Sequence, residues 1–227
     1  MKKTLLTAIF LLLCAVCSAQ AVDPLFAKGG AGPKFKIRTT MGDITVQLSN
    51  LTPRHRDNFV KLVSEHFYDS LLFHRVIQDF MVQGGDPTSR HAGRGQMLGS
   101  GSLDYTVPAE FSSDLYHRRG ALCAARMGDQ VNPKKASSAS QFYIVQGRKW
   151  TDRELTQMSA RSGRKFLPAQ AEVYKNEGGT PFLDGEYTVF GIVVEGMDVV
   201  DRIAAVRKDG ADRPLQDVRI ITIEALK

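Results

Sequence analysis

Apolar and polar positions along this chain change period several times, and the changes mark out its elements. Phe35-Lys36-Ile37-Arg38 alternates apolar with polar, Thr40-Met41-Gly42-Asp43 interrupts, and Ile44, Val46 and Leu48 resume the alternation on one face. Period two on both sides of a Gly-containing turn predicts a β-hairpin. Thr52-Pro53 then opens a helix, because proline suits the first helical position and Phe59, Leu62 and Val63 fall on one stripe up to about Phe67. Strand-like runs follow at 80–83, 121–125, 141–145, 189–194 and 218–225, with a further helix over about 197–206. Many short strands, two helices and Gly-rich turns predict a mainly β protein built as a closed antiparallel barrel with helices capping its ends.

Residues 148–180 break this pattern. Thr151-Asp152-Arg153-Glu154 is a capping box, and Leu155 and Met158 keep helical spacing until Gly163. Pro168 begins a second helical stretch that Gly178-Gly179 ends. The segment reads as a helical hairpin inserted between two strands, and it holds the single tryptophan, Trp150.

The first 21 residues read as a secretory signal peptide: Lys2 and Lys3 precede an apolar run from Leu5 to Val16, and small residues follow. Cleavage fits after Ala19 or after Ala21. The apolar run is short against the roughly 20 residues that span a bilayer, so removal is expected rather than a retained anchor. Lipid attachment at Cys17 is disfavoured, since Cys14-Ala15-Val16 lacks the usual leucine and small residue. A Pro- and Gly-containing linker over 22–33 leads to one folded domain over 34–227. The reading is a periplasmic or secreted protein with no stable membrane insertion once the leader is gone. Removing the leader lowers the formal charge from +6 to +4, and the basic residues are scattered, which argues against a nucleic-acid partner. Only Cys123 remains of three cysteines, so no intramolecular disulfide is available and a buried thiol is expected.

Candidate chemistry concentrates between Leu72 and Thr88. Arg75 sits on a short apolar segment, followed by Phe80, Met81 and Gln83 before a Gly84-Gly85-Asp86-Pro87 turn. That combination suggests a shallow hydrophobic pocket with one strong donor. The five histidines, at 55, 66, 74, 91 and 117, have no metal-ligand spacing, and neither a metal nor a cofactor is expected. Glu110 and Asp114 could be imagined as glycosidase carboxylates, but nothing in the sequence positions them.

Three segments in order resemble the cyclophilins, peptidyl-prolyl cis/trans isomerases: Phe73-His74-Arg75-Val76-Ile77 with Phe80 to Asp86, then Ser140-Gln141-Phe142-Tyr143-Ile144, then Phe182-Leu183-Asp184-Gly185 with Val189-Phe190-Gly191. The resemblance covers 34–227 and implies an eight-stranded antiparallel barrel with two capping helices. It implies Arg75 as the catalytic residue and Phe80, Met81, Tyr143 and Leu183 as the proline pocket. Gln83 would hold the substrate backbone, and Gln141 and the Ala125-Arg126 strand would line the neighbouring groove. His74 is expected to point to the opposite face of the strand from Arg75 and to be structural. The implied partners are proline-containing polypeptide clients, whose X–Pro bonds would be rotated during the folding of exported proteins.

Four positions depart from the pattern. Phe182 stands where many eukaryotic members have tryptophan, and Tyr187 where they have histidine, so cyclosporin binding is expected to be weak. Tyr143 is often phenylalanine, and its added hydroxyl needs a partner at the pocket floor. Arg126 replaces a common asparagine. The helical insert has no counterpart in minimal members. The rival reading is a proline-peptide binding or chaperone module with little turnover, and a third is an assembly factor acting through the insert.

Overall fold

The computed structural model describes residues 31–227, so the leader and most of the linker read from the sequence lie outside the described residues. Strands β1 (Ala31–Thr39) and β2 (Gly42–Ser49) form the expected hairpin, with Phe35 opposite Val46 and Ile37 opposite Ile44. Strand β1 begins inside the stretch read as linker, where Ala31 pairs with Ser49. Helix α1 (Pro53–Ser64) follows, then β3 (Phe73–Ile77), β4 (Met81–Gly84), the short β5 (Thr106–Val107), β6 (Ala121–Ala124), β7 (Ser137–Ser138) and β8 (Phe142–Val145). The insert supplies α2 (Asp152–Ser162) and α3 (Pro168–Asn176), and β9 (Val189–Glu195), α4 (Met197–Ala204) and β10 (Ile220–Leu226) complete the chain.

Eight strands form one curled antiparallel sheet in the order β10-β1-β2-β9-β6-β8-β4-β3, and β5 pairs with β7 separately. The barrel expected from the sequence is therefore not closed: it is an open half-barrel with β10 and β3 at its edges. Those edges meet through an isolated bridge, Leu72 with Arg219, and a few bonds around it, such as Phe73 N–H to Val218 O at 2.9 Å. Beyond that point the outer edge of β3 is taken by a loop, as Val76 N–H donates to Asp212 O at 2.9 Å. An edge bond already satisfied by the loop has no capacity left for β10.

The concave face of the sheet holds the main core. Phe59 of α1 sits at its centre, with ring centroids 5.6 Å from Phe35, 6.1 Å from Phe142 and 5.7 Å from Phe190. Edge-on and tilted contacts of this kind add to the burial of each ring. Val199, Val200 and Ile203 of α4 join the same core, so α1 and α4 each lay an apolar stripe onto the sheet. The free N–H groups at the start of α1 are taken by a side chain from outside the helix: Glu110 accepts from Arg54 N at 3.1 Å and His55 N at 3.0 Å. Glu110 thus caps a helix.

Candidate active site

Register across the sheet explains how the site is assembled. Arg75 on β3 lies opposite Gln83 on β4, Gln83 opposite Tyr143 on β8, and Tyr143 opposite Cys123 on β6. Directly paired residues share a face, so this row stands on the outer side of the sheet. The rows on either side, Val76-Val82-Ile144-Leu122 and Phe73-Gly84-Phe142-Ala124, face the concave core. A second apolar cluster forms on the outer face around Met81, Cys123, Tyr143 and Val189, with Phe80 and Leu183 packed against it.

These side chains surround an open cleft of about 510 Å³. Of the residues singled out from the sequence, Arg75, Phe80, Met81, Gln83, Ala125, Arg126, Tyr143, Leu183 and Tyr187 line it. Met81 and Tyr143 form the buried floor, at 1% and 4% exposure. Phe182 stands at the rim, 42% exposed, its ring 5.7 Å from Phe80. Gln141 lies in an adjoining cleft of about 540 Å³, which shares Gln83, Ala125 and Arg126 with the first. The sequence reading missed the segment Leu98-Gly99-Ser100, Met127 and Ala211, which also line the first cleft. They come from loops with no periodic signal, and only folding brings them there.

Arg75 is the half-exposed cation at the edge of the cleft. Among the described residues its ionic partner is Asp212, whose Oδ2 lies 3.9 Å from Nε, with the Arg75 side chain 43% exposed. The two terminal nitrogens keep their donors. Gln83 and Gln141 are held more firmly: Gln83 Nε2–H donates to Gln141 Oε1 at 3.0 Å, and Gln141 Nε2–H donates to the carbonyls of Gly99 at 3.0 Å and Gly101 at 2.6 Å. Asp86 anchors the same loop through the N–H groups of Gly99 and Gly101. Burial alone would push the Asp86 carboxyl up, but the hydrogen bonds from Thr88, Gly99 and Gly101 outweigh it and hold it below the usual range.

His74 corrects an expectation. It lines the cleft beside Arg75 instead of facing away. The reason is a bulge: the register of β3 against β4 shifts between Phe73 and Arg75, so Phe73 and Val76 both reach the core and strict alternation fails at His74. His74 is 3% exposed with no hydrogen-bond partner for either ring nitrogen, and burial lowers its pKa to about 4. It is therefore neutral around pH 7.

Two of the four substituted positions, Tyr143 and Arg126, also find their physical explanation. The Tyr143 hydroxyl bonds His117 Nε2 at 2.9 Å, while His117 Nδ1 meets Asp184 Oδ1 at 3.0 Å. A carboxylate only accepts, so Nδ1–H donates to Asp184 and Nε2 is the nitrogen that pairs with the tyrosine hydroxyl. The hydroxyl is thus turned into the protein and the pocket floor remains apolar. Arg126 has its guanidinium 4.4 Å above the Tyr187 ring and donates to Glu186 O at 2.7 Å and to Asp129 at 2.5 Å. Its donors are spent inside the wall of the groove.

The family model for cyclophilin type peptidyl-prolyl cis-trans isomerases matches residues 34–225. The chain belongs to that family. It is therefore a peptidyl-prolyl cis-trans isomerase, and its relatives agree. A Staphylococcus epidermidis protein named for this activity is 36% identical over 84% of this chain and 90% of its own length. A Streptococcus pyogenes protein named as a bifunctional phosphatase and peptidyl-prolyl cis-trans isomerase is 40% identical over 85% of this chain, which spans only 38% of that protein. Among solved structures, a Cryptosporidium parvum cyclophilin superposes with a TM-score of 0.62 at 25% identity, covering 86% of this chain and 98% of its own. The same C. parvum protein solved in the presence of the dipeptide Ala-Pro gives a TM-score of 0.61 at 24% identity. This cyclophilin therefore carries its cleft on the outer face of a shared half-barrel.

Proposed function

We propose that this cyclophilin rotates X–Pro bonds by seating the proline ring on Met81 and Tyr143, between Phe80 and Leu183, with Arg75 directed at the proline nitrogen. The row of Arg75, Gln83 and Tyr143 across adjacent strands carries this reading, because it sets a permanent cation at the edge of an apolar floor. Amide resonance imposes a barrier of about 18–20 kcal/mol, and uncatalysed isomerisation takes tens to hundreds of seconds. Rotation breaks the resonance and restores a lone pair on the nitrogen. A guanidinium beside that nitrogen binds the twisted amide better than the planar one, and only such differential binding accelerates the step.

Magnitudes divide the work. A charged hydrogen bond nets about 1.5–3 kcal/mol, so Arg75 supplies roughly one to two decades of rate. Confinement supplies the rest. Gln83, braced by Gln141, and the Ala125-Arg126 segment hold the flanking backbone so that one bond is left to turn, while the pocket binds the ring alike in every state. No proton transfer or covalent intermediate is required. The clients in this reading are proline-containing segments of exported proteins. The leader over residues 1–21 supports it, and N-terminal sequencing of the protein recovered from its cell of origin tests it: a mature start at Gln20 or Val22 fits, whereas a retained Met1 sinks the export claim.

The rival is a module that binds proline peptides and turns over little. An X–Pro test peptide separates the two. Accelerated cis-to-trans exchange by the folded protein supports the catalytic assignment of these residues, while peptide binding without acceleration supports the rival.

A further inference from the structure

The insert is joined to the floor of the cleft by an unbroken chain of side chains. Tyr174 on α3 donates its O–H to Asp184 Oδ2 at 2.7 Å. The other carboxylate oxygen, Oδ1, accepts from His117 twice, from the backbone N–H at 2.8 Å and from Nδ1 at 3.0 Å. His117 then meets the Tyr143 hydroxyl at 2.9 Å, its ring nearly parallel to the tyrosine ring. Tyr174 and His117 are both fully buried. Asp184 directly follows Leu183, which forms a wall of the cleft. A second link runs through carbon: Trp150 packs edge-on against Phe182 at 6.2 Å, and Phe182 lies 5.7 Å from Phe80.

We infer that the helical insert is a positioning element of the isomerase site, with Tyr174 setting the Tyr143 floor and the Leu183 wall through Asp184 and His117. The backbone around this chain leaves little slack. Thr180 N–H donates to His117 O at 2.8 Å, and a Cβ on Gly179 would lie 2.3 Å from that same carbonyl. The Tyr143 hydroxyl is fixed through a carboxylate whose geometry the insert completes. Removing the Tyr174 hydroxyl leaves one carboxylate oxygen without that donor, frees Asp184 to turn, and loosens both surfaces that grip the proline ring.

The ring is gripped alike in the cis, trans and twisted states, so a looser grip weakens all three equally. Such a loss is uniform binding: it raises KM and spares kcat. Arg75 acts on the twisted state and its loss falls on kcat, which separates positioning from catalysis. Tyr174 touches no substrate, and a merely structural role would lower the melting temperature without this split.

The inference rests on the isomerase reading, and the experiment keeps the two apart. Steady-state isomerisation of an Ala-Pro peptide is measured, well below every melting midpoint, for the full chain and for Tyr174→Phe, Tyr143→Phe and the double variant. The affinity of the same peptide is titrated by the fluorescence of the sole tryptophan. Expected is a rise in KM of about three- to tenfold for Tyr174→Phe, the value of one hydrogen bond, with kcat unchanged. The double variant should be no worse than the weaker of the two single ones, because both sever one chain. Asp184→Asn, which keeps the side-chain shape, should reproduce the effect if Tyr174→Phe proves poorly folded. Unchanged KM in Tyr174→Phe, or losses that multiply in the double variant, overturn the inference. A wild type that binds the peptide without turnover defeats the catalytic reading alone, and unchanged peptide affinity in Tyr174→Phe then defeats the positioning claim.

Discussion

Gln141 ties Gln83 to the loop over the cleft: its Oε1 accepts from Gln83 Nε2 at 3.0 Å while its Nε2 donates to the carbonyls of Gly99 and Gly101. Backbone grip and loop position therefore depend on one amide that is 6% exposed. Replacing it with an isosteric apolar side chain leaves buried partners unpaired, at about 1–3 kcal/mol. Gln141→Leu should lower the unfolding free energy by that amount and reduce kcat/KM by about tenfold. Denaturant unfolding and a peptide isomerisation assay check both; wild-type values in either would show that Gln83 and the loop hold their places without Gln141.

His74 should make the protein acid-sensitive. Its folded pKa is about 4 against an ordinary value of 6.5, so below 6.5 the unfolded chain takes up a proton that the folded chain refuses until about pH 4. The unfolded state binds more protons in that window, and stability falls as pH falls through it by roughly 3 kcal/mol at most. Asp86 adds in the same direction at lower pH, because its folded carboxyl is held below its ordinary pKa and its contribution is lost on protonation. Unfolding curves at pH 7 and pH 4.5 for wild type and His74→Gln test the claim. The variant should show a flatter pH dependence, and identical slopes would remove His74 as the cause.

Cyclosporin binding should be weak. Phe182 at the rim has no N–H to donate, and the indole N–H of the neighbouring Trp150 is committed to Gly179 O at 2.9 Å. Phe182→Trp should tighten binding by about tenfold, the worth of one added hydrogen bond. Calorimetric titration decides. Nanomolar affinity in the wild type would contradict the expectation outright.

Sequence patterning carried much of this fold because the first hairpin obeys period two, β6, β8 and β9 are short apolar runs, and the helices carry clear stripes. The hairpin, α1, α4, the capping box at Thr151 and the left-handed Gly163 at the end of α2 stand where residue chemistry puts them. Alternation failed at His74, since a bulge adds a residue that no propensity scale registers. Closure of the barrel failed for a related reason: whether edge strands meet depends on which loop satisfies β3, and Asp212 is distant in sequence from Val76. The residues of the cleft that sit on strands were legible through the family motifs. Those on loops, Leu98 to Ser100 and Ala211, carry no local signal, and neither does the route from Tyr174 to Tyr143, whose members lie on separate elements and loops.

Arg75→Lys gives a graded test of the donor. Lysine keeps the charge but replaces a planar fork by a point donor, so turnover should fall between that of wild type and that of Arg75→Ala. A lysine variant as slow as the alanine one would mean that geometry alone matters, and one as fast as wild type that charge alone does.

The decisive measurement is the cis-to-trans exchange rate of an X–Pro peptide at saturation, for the wild type beside Arg75→Ala, with unfolding midpoints recorded for both. Arg75 contributes at the exposed edge of the cleft, so the variant should remain folded with a near-unchanged midpoint and lose at least about tenfold in kcat. A folded Arg75→Ala protein that turns over at the wild-type rate would contradict catalysis by this cation.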